Sequence, residues 1–170
     1  MTTDTPIAPI TPGTFITPEG LLEHWQGHQR LTRRVLEAFP EDEVSTFAPT
    51  PPMRPFGVLT LEIIGMIEPT LRGLSTRSWE TLPDLETLQR TEHSKAELLA
   101  RWDKTAQALQ GGFAQIPEAS FYETHAAFGQ WTMPGNALIL YLIDNEIHHR
   151  AQGYVYLRLL GIEPPAFYER

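Results

Sequence analysis

The sequence predicts an all-α protein built as an up-down four-helix bundle with irregular connections. Three features point there: four segments with apolar residues at helical spacing, start and stop signals at helix ends, and no convincing ladder of alternating, strand-like residues. One domain is expected, because 170 residues with 41% apolar content suffice for one good core. Residues 1–16 alternate Thr, Pro, Ile and Gly and read as an extended N-terminal arm; residues 17–170 form the bundle.

The first helix is announced by Thr17-Pro18-Glu19, with Thr17 as N-cap, Pro18 at the first helical position and Glu19 complementing the helix dipole. It should run to about Phe39, with Leu21, His28, Leu31, Val35 and Phe39 as its apolar stripe and Glu23, Arg30, Arg33, Arg34 and Glu37 on the far side. Pro40 ends it, and the proline-rich stretch from Val44 to Pro55 is an irregular connector. A second helix starts near Pro55 and continues towards Leu74, with Pro69 expected to kink or end it. Residues 75–93 are polar and without a clear period.

Ser94-Lys95-Ala96-Glu97 is a capping box, so a third helix follows, to Leu109 or Gln110, with Leu98, Trp102, Thr105 and Leu109 as its stripe and Gly111-Gly112 as its stop. Between Phe113 and Thr132 the aromatics keep no helical period, and a packed loop with a short strand or turn is expected. The fourth helix spans about Pro134 to Leu160, closed by Gly161 and by Pro164-Pro165.

The formal charge of −8 and a pI near 5.2 argue against a general basic surface for phosphates, so no direct nucleic-acid binding is expected. With no cysteine, disulfides, thiolate ligands and cysteine nucleophiles are excluded, and any metal must use His, carboxylate or amide ligands. No apolar run reaches membrane-spanning length and the N-terminus lacks a secretory pattern; the expectation is a soluble, cytoplasmic protein. Gly-rich phosphate loops and Gly-x-Ser-x-Gly elbows are absent from the sequence.

The chemistry concentrates in the fourth helix. At 100° per residue, Asn145, His149, Gln152 and Tyr156 share one side with Leu138, so metal-capable groups lie on a face that ought to be core. A buried polar side chain without a partner costs about 1–3 kcal/mol, so such a cluster needs a network, a ligand or a metal. Glu62 adds a carboxylate surrounded by the apolar Val58, Leu59 and Met66, and His28 a core-facing imidazole from the first helix. Together Glu62, Asn145, His149 and His28 make a mixed oxygen and nitrogen cage for zinc, nickel, iron or manganese. The alternative is a metal-free buried hydrogen-bond network. His24, four residues before His28, reads as exposed; Glu146 and Arg150 read as a helix-surface or interhelical ion pair; Arg54 reads as fixing the connector or touching an anion.

These residues carry a resemblance. Glu146-Ile147-His148-His149-Arg150-Ala151-Gln152-Gly153-Tyr154-Val155-Tyr156-Leu157-Arg158, followed by Leu160-Gly161-Ile162, resembles the C-terminal helix of the DinB/YfiT-like family, more loosely supported by His24-Trp25-Gln26-Gly27-His28 and by Arg54-Pro55-Phe56 to Glu62. The resemblance implies an up-down four-helix bundle, often dimeric and stress-associated. It also implies a divalent metal held by one histidine on helix 2 and an i, i+4 histidine pair on the last helix. Relatives include thiol-dependent transferases, which implies a low-molecular-weight thiol as substrate and a homodimer as the assembly. This sequence departs from the ligand pattern: Glu62 stands where the helix 2 histidine is expected, and Asn145 stands four residues before His149. Amide oxygen is a weak neutral ligand, so two functions follow: a divalent-metal-dependent enzyme of thiol transfer or hydrolysis, or a non-catalytic bundle with a degenerate site that acts in partner binding.

Overall fold

The computed structural model describes residues 16–81 and 93–170. Four helices dominate, α1 (Pro18–Ala38), α2 (Phe56–Thr76), α3 (Lys95–Phe113) and α4 (Gly135–Leu159), as the periodicity predicts. Apart from Ile16, the expected N-terminal arm lies outside the described residues.

The caps explain where helices begin. Thr17 Oγ1 accepts from Gly20 N at 3.1 Å, relieving one orphan donor of α1. At α3, Ser94 and Glu97 satisfy each other's backbone N–H groups, so both halves of the capping box form. At the other end of the chain, Gly161 takes the left-handed φ of 76° that stops α4.

Two departures have local causes. Pro69 lies within α2, which continues to Thr76 because its buried face, Met66, Ile67, Thr70 and Leu71, remains anchored in the core. Likewise α3 passes through Gly111-Gly112 to Phe113. Gly112 is pressed against Leu71, where a Cβ would come within 3.0 Å of Cδ1, and Phe113 is buried one residue on. Beyond it lies a 3-10 turn (Glu118–Phe121) and a small antiparallel hairpin, β1 (Thr124–Ala127) and β2 (Trp131–Pro134). Its turn uses positive φ at Phe128 (55°) and Gly129 (69°).

Each of α1 and α2 packs against both α3 and α4. Contacts fix the directions: Glu62 of α2 meets His149 and Phe56 meets Gly153, so α2 and α4 are antiparallel. Arg33 pairs with Asp103 while Lys95 reaches Phe39, so α1 and α3 are also antiparallel. Leu71 against Gly112 and Leu98 against Gly57 make α2 and α3 parallel, so the four-helix bundle runs up, down, down, up where the sequence predicts a simple up-down alternation, the long connection between α2 and α3 allowing the return. The core forms two main clusters along the bundle. One contains Trp25, Ile67, Trp102 and Ile139; the other Val35, Phe39, Phe56, Leu98 and Tyr156.

Gly153 lets α4 approach α2, because a Cβ there would sit 2.5 Å from Phe56 Cε2, and that ring is stacked on Phe39 at 4.8 Å. Gly153→Ala should therefore destabilise the fold by roughly 1–3 kcal/mol, although alanine is the better helix former. Chemical denaturation would register a lower midpoint; an unchanged or higher midpoint would mean that the Phe56 ring yields freely.

Candidate functional site

The polar residues that converge on α4 form two clusters, one on each side of the helix. On the α2 side, His149 is buried and its Nε2 lies 3.1 Å from Glu62 Oε1, while Glu62 Oε2 accepts from Arg54 Nη1 at 2.5 Å. Arg54 is itself fixed at the mouth of α2, where its carbonyl accepts from Tyr156 O–H at 3.2 Å. Burial would raise the Glu62 carboxyl, but the hydrogen bonds and charges of His149 and Arg54 outweigh it and hold it below the usual carboxylate range. Asn145, one turn before His149, directs its amide nitrogen at Met66 Sδ, 3.8 Å away.

On the α1 side a second network is more deeply enclosed. Glu146 is fully buried; its carboxylate accepts from Thr32 Oγ1 at 2.6 Å and from Trp25 Nε1 at 3.2 Å, with Arg150 Nη1 at 3.8 Å. Arg150 also donates to the His28 carbonyl (3.2 Å) and to Thr32 Oγ1 (3.1 Å), and its Nη2 faces His28 Nδ1 at 3.0 Å. The other nitrogen of His28 faces His24 and Arg170, each at 3.2 Å. Burial, then the charges of Arg150 and Arg170, lowers the His28 pKa to about 4, so the ring is neutral at pH 7. Burial pushes Glu146 up to about 7 against the opposing pull of Thr32, Arg150 and Trp25.

The four sequence-derived candidates therefore separate. Glu62 and His149 meet, Asn145 stands one turn away on the same helix, and His28 lies on α1, engaged with Arg150, Arg170 and His24. The reading of Glu146 and Arg150 as a helix-surface or interhelical ion pair is corrected: both are buried on the same helix, 3.8 Å apart, and what crosses to α1 is hydrogen bonding to Trp25, His28 and Thr32. Arg54 is engaged by Glu62. His24 is exposed as expected, and His148 points outward to Gln152. The network that sequence reasoning missed had one usable signal: an acid and a base, Glu146 and Arg150, at i and i+4 in the helix that carries His149.

A DinB family model matches residues 13–170. The chain belongs to the DinB family. No curated protein sequence matches it. Among solved structures it is similar to a DinB-like protein from Bacillus cereus, at 20% identity and a TM-score of 0.71, covering 88% of this chain and 97% of that one. A DinB-like protein from Bacillus subtilis aligns at 18% identity and a TM-score of 0.68, covering 88% and 99% respectively. At such identities the likeness shows the DinB fold.

Whether the three-imidazole centre implied by the DinB resemblance fits this chain can be judged from the donor set. One carboxylate, one imidazole and one amide occupy the ligand positions, and both carboxylate oxygens already face N–H or cationic partners. The Arg54 guanidinium brings positive charge to the carboxylate a metal would use, and a second cation there meets repulsion. Among the described residues no group of three or more His, Cys, Asp or Glu side chains has metal-binding geometry. The residues do not fit a three-histidine metal centre.

Proposed function

We propose that this chain is a DinB-family bundle in which Arg54, Glu62 and His149 act as a self-neutralised clasp between α2 and α4, and which works by binding a partner, not by metal-dependent catalysis. The observation that carries this reading is the double engagement of Glu62, by Arg54 at 2.5 Å and by His149 at 3.1 Å. A charge-paired carboxylate of this kind holds two helices together without an added ion. Among the described residues no helix is long and apolar enough to cross a membrane.

A second reading, a divalent-metal-dependent enzyme of low-molecular-weight thiol transfer or hydrolysis, is favoured by one detail. His149 Nδ1 is buried without a hydrogen-bond partner, and the ring reaches Glu62 from the facing helix. Elemental analysis of untagged protein, purified without chelator and then titrated calorimetrically with zinc, nickel and manganese, separates the two. The first reading expects no stoichiometric metal and a melting temperature indifferent to these ions. Near-stoichiometric metal that disappears in both Glu62→Ala and His149→Ala would reverse the conclusion in favour of the second. The double variant Glu62→His/Asn145→His, which restores three imidazoles, should gain zinc or nickel binding that the parent lacks.

A further inference from the structure

On α1, Gln26, Gln29, Arg30 and Arg33 follow the spacing i, i+3, i+4, i+7, so they form one stripe along the helix. Asp103, Ala106, Gln107 and Gln110 repeat that spacing on α3. The two stripes border a groove of about 450 Å3 between the helices, with the buried Trp102 at its floor. Arg33 Nε and Nη2 donate to the Asp103 carboxylate at 2.6 and 3.0 Å, which closes one end. Because α1 and α3 run antiparallel, Gln29 and Arg30 then come level with Ala106 and Gln107, and Gln26 with Gln110. A methyl group opposite two long side chains is what leaves the groove open.

One side chain here is out of place on energetic grounds. Gln29 is 3% exposed and borders the groove, yet its Oε1 is buried without a hydrogen-bond partner among the described residues. Folded proteins leave few such groups, because an acceptor that has given up water must be satisfied by something else. A leucine or methionine would fill this place in the stripe without that cost, so the amide points to a donor that enters the groove.

The charges say what kind of molecule carries the donor. Arg33 is paired with Asp103 and Arg34 with Glu169, while Arg30 is exposed and has no ion-pair partner among the described residues. The adjoining hollow is walled by Arg30, Arg33, Arg34 and Arg170 with Glu169 the one acid among them, a local positive excess on a chain of net charge −8. An anionic group is therefore drawn to Arg30. Glutamine amides make up most of the remaining polar lining, and they donate and accept without charge. A polyphosphate would find too few free cations here, and a plain aliphatic acid would leave the amides unpaired.

We propose that the groove between α1 and α3 is a binding site for a small carboxylate that carries its own N–H or O–H donors, with its carboxylate on Arg30 and a donor on Gln29 Oε1. Acylated dipeptides and sugar acids share that chemistry. The Glu62 clasp joins the other two helices, α2 and α4, so the proposal is independent of whether the chain takes a metal.

Titration calorimetry on the full chain with N-acetylglycylglycine and with glucuronate tests it, and the tighter of the two identifies the source of the ligand. At least one should bind with a Kd at or below roughly 1 mM, and acetate, which has the charge but no donor, about tenfold or more weakly. Gln29→Leu and Ala106→Leu should each weaken the tighter probe about tenfold or more, the first by removing the acceptor and the second by filling the groove without touching its polar groups. Without ligand, Gln29→Leu should melt at or above the parent temperature, because it removes an unsatisfied polar group. Arg158→Gln, on α4, should bind as the parent does. The proposal is overturned if neither probe binds, if acetate binds as tightly as both, or if binding survives Gln29→Leu and Ala106→Leu unchanged. A lower melting temperature for Gln29→Leu also overturns it, since the amide would then be satisfied within the fold.

Discussion

Above pH 7, where Glu146 is ionised, replacing it with alanine should lower stability by about 3–5 kcal/mol, because it removes the counter-charge of a buried guanidinium. Arg150 is only 7% exposed, and the substitution also strands the Trp25 N–H on α1, while the Thr32 hydroxyl keeps the His28 carbonyl as its acceptor. For a chain of this size each kcal/mol shifts the melting temperature by about 2–4 °C, so thermal unfolding should move down by roughly 6–20 °C. The carboxylate is a hub, and its loss detaches α1 from α4 along the turn between Trp25 and Thr32. Removing both charges together, as Glu146→Met/Arg150→Met, should cost less than Glu146→Ala alone, since no buried charge is then left unpaired. Calorimetry on the single and double variants decides the matter; a single variant within about 1 kcal/mol of the parent would show that water reaches Arg150 and replaces the carboxylate.

The same network marks where the sequence stops being legible. Periodicity and cap chemistry place all four helices, because an apolar stripe and a Thr17 or Ser94-Glu97 cap are local signals that tertiary packing reinforces. Partners across helices are another matter. His28 and His149 are both read as inward-facing, and both are buried, but a helical stripe says which side faces the core and not which neighbour it meets. α1 and α2 flank α4 on different sides, so one histidine joins Arg150 and the other Glu62. Glu146 and Arg150 have the spacing of a surface pair, and what distinguishes them is Trp25, 121 residues away. Arg54 reaches Glu62 over eight residues, a separation set by the irregular entry into α2 and not by a helical repeat. Of the hairpin only a short strand or turn was legible, because strands of four residues are too short for alternation to register.

The pH dependence of stability should show two opposing titrations that nearly cancel in the parent protein. Glu146 is pushed up from 4.5 to about 7, chiefly by burial, so between those values the folded protein keeps a proton that the unfolded chain has released. Its contribution is greatest below pH 4.5 and falls as the pH rises to 7, by about 3 kcal/mol at 1.36 kcal/mol per unit. His28 runs the other way. Burial, followed by Arg150, Arg170 and His24, lowers its pKa from 6.5 to about 4, so in that window the unfolded chain binds a proton that the folded protein refuses. Its contribution is full above pH 6.5 and is lost as the pH falls to 4, again by about 3 kcal/mol. The windows overlap between 4.5 and 6.5, and there the two slopes oppose each other. Glu146→Gln should therefore gain stability relative to the parent as the pH rises from 4.5 to 7, since it lacks the loss at Glu146. His28→Asn should lose stability relative to the parent from pH 4 to 6.5. Denaturation midpoints across pH 4–8 give both difference profiles, in which titrations elsewhere in the chain drop out. A flat profile for Glu146→Gln would mean that Arg150 keeps Glu146 ionised throughout this range. The carboxylate and guanidinium would then be a permanent ion pair in the core, and the double methionine variant the more telling comparison.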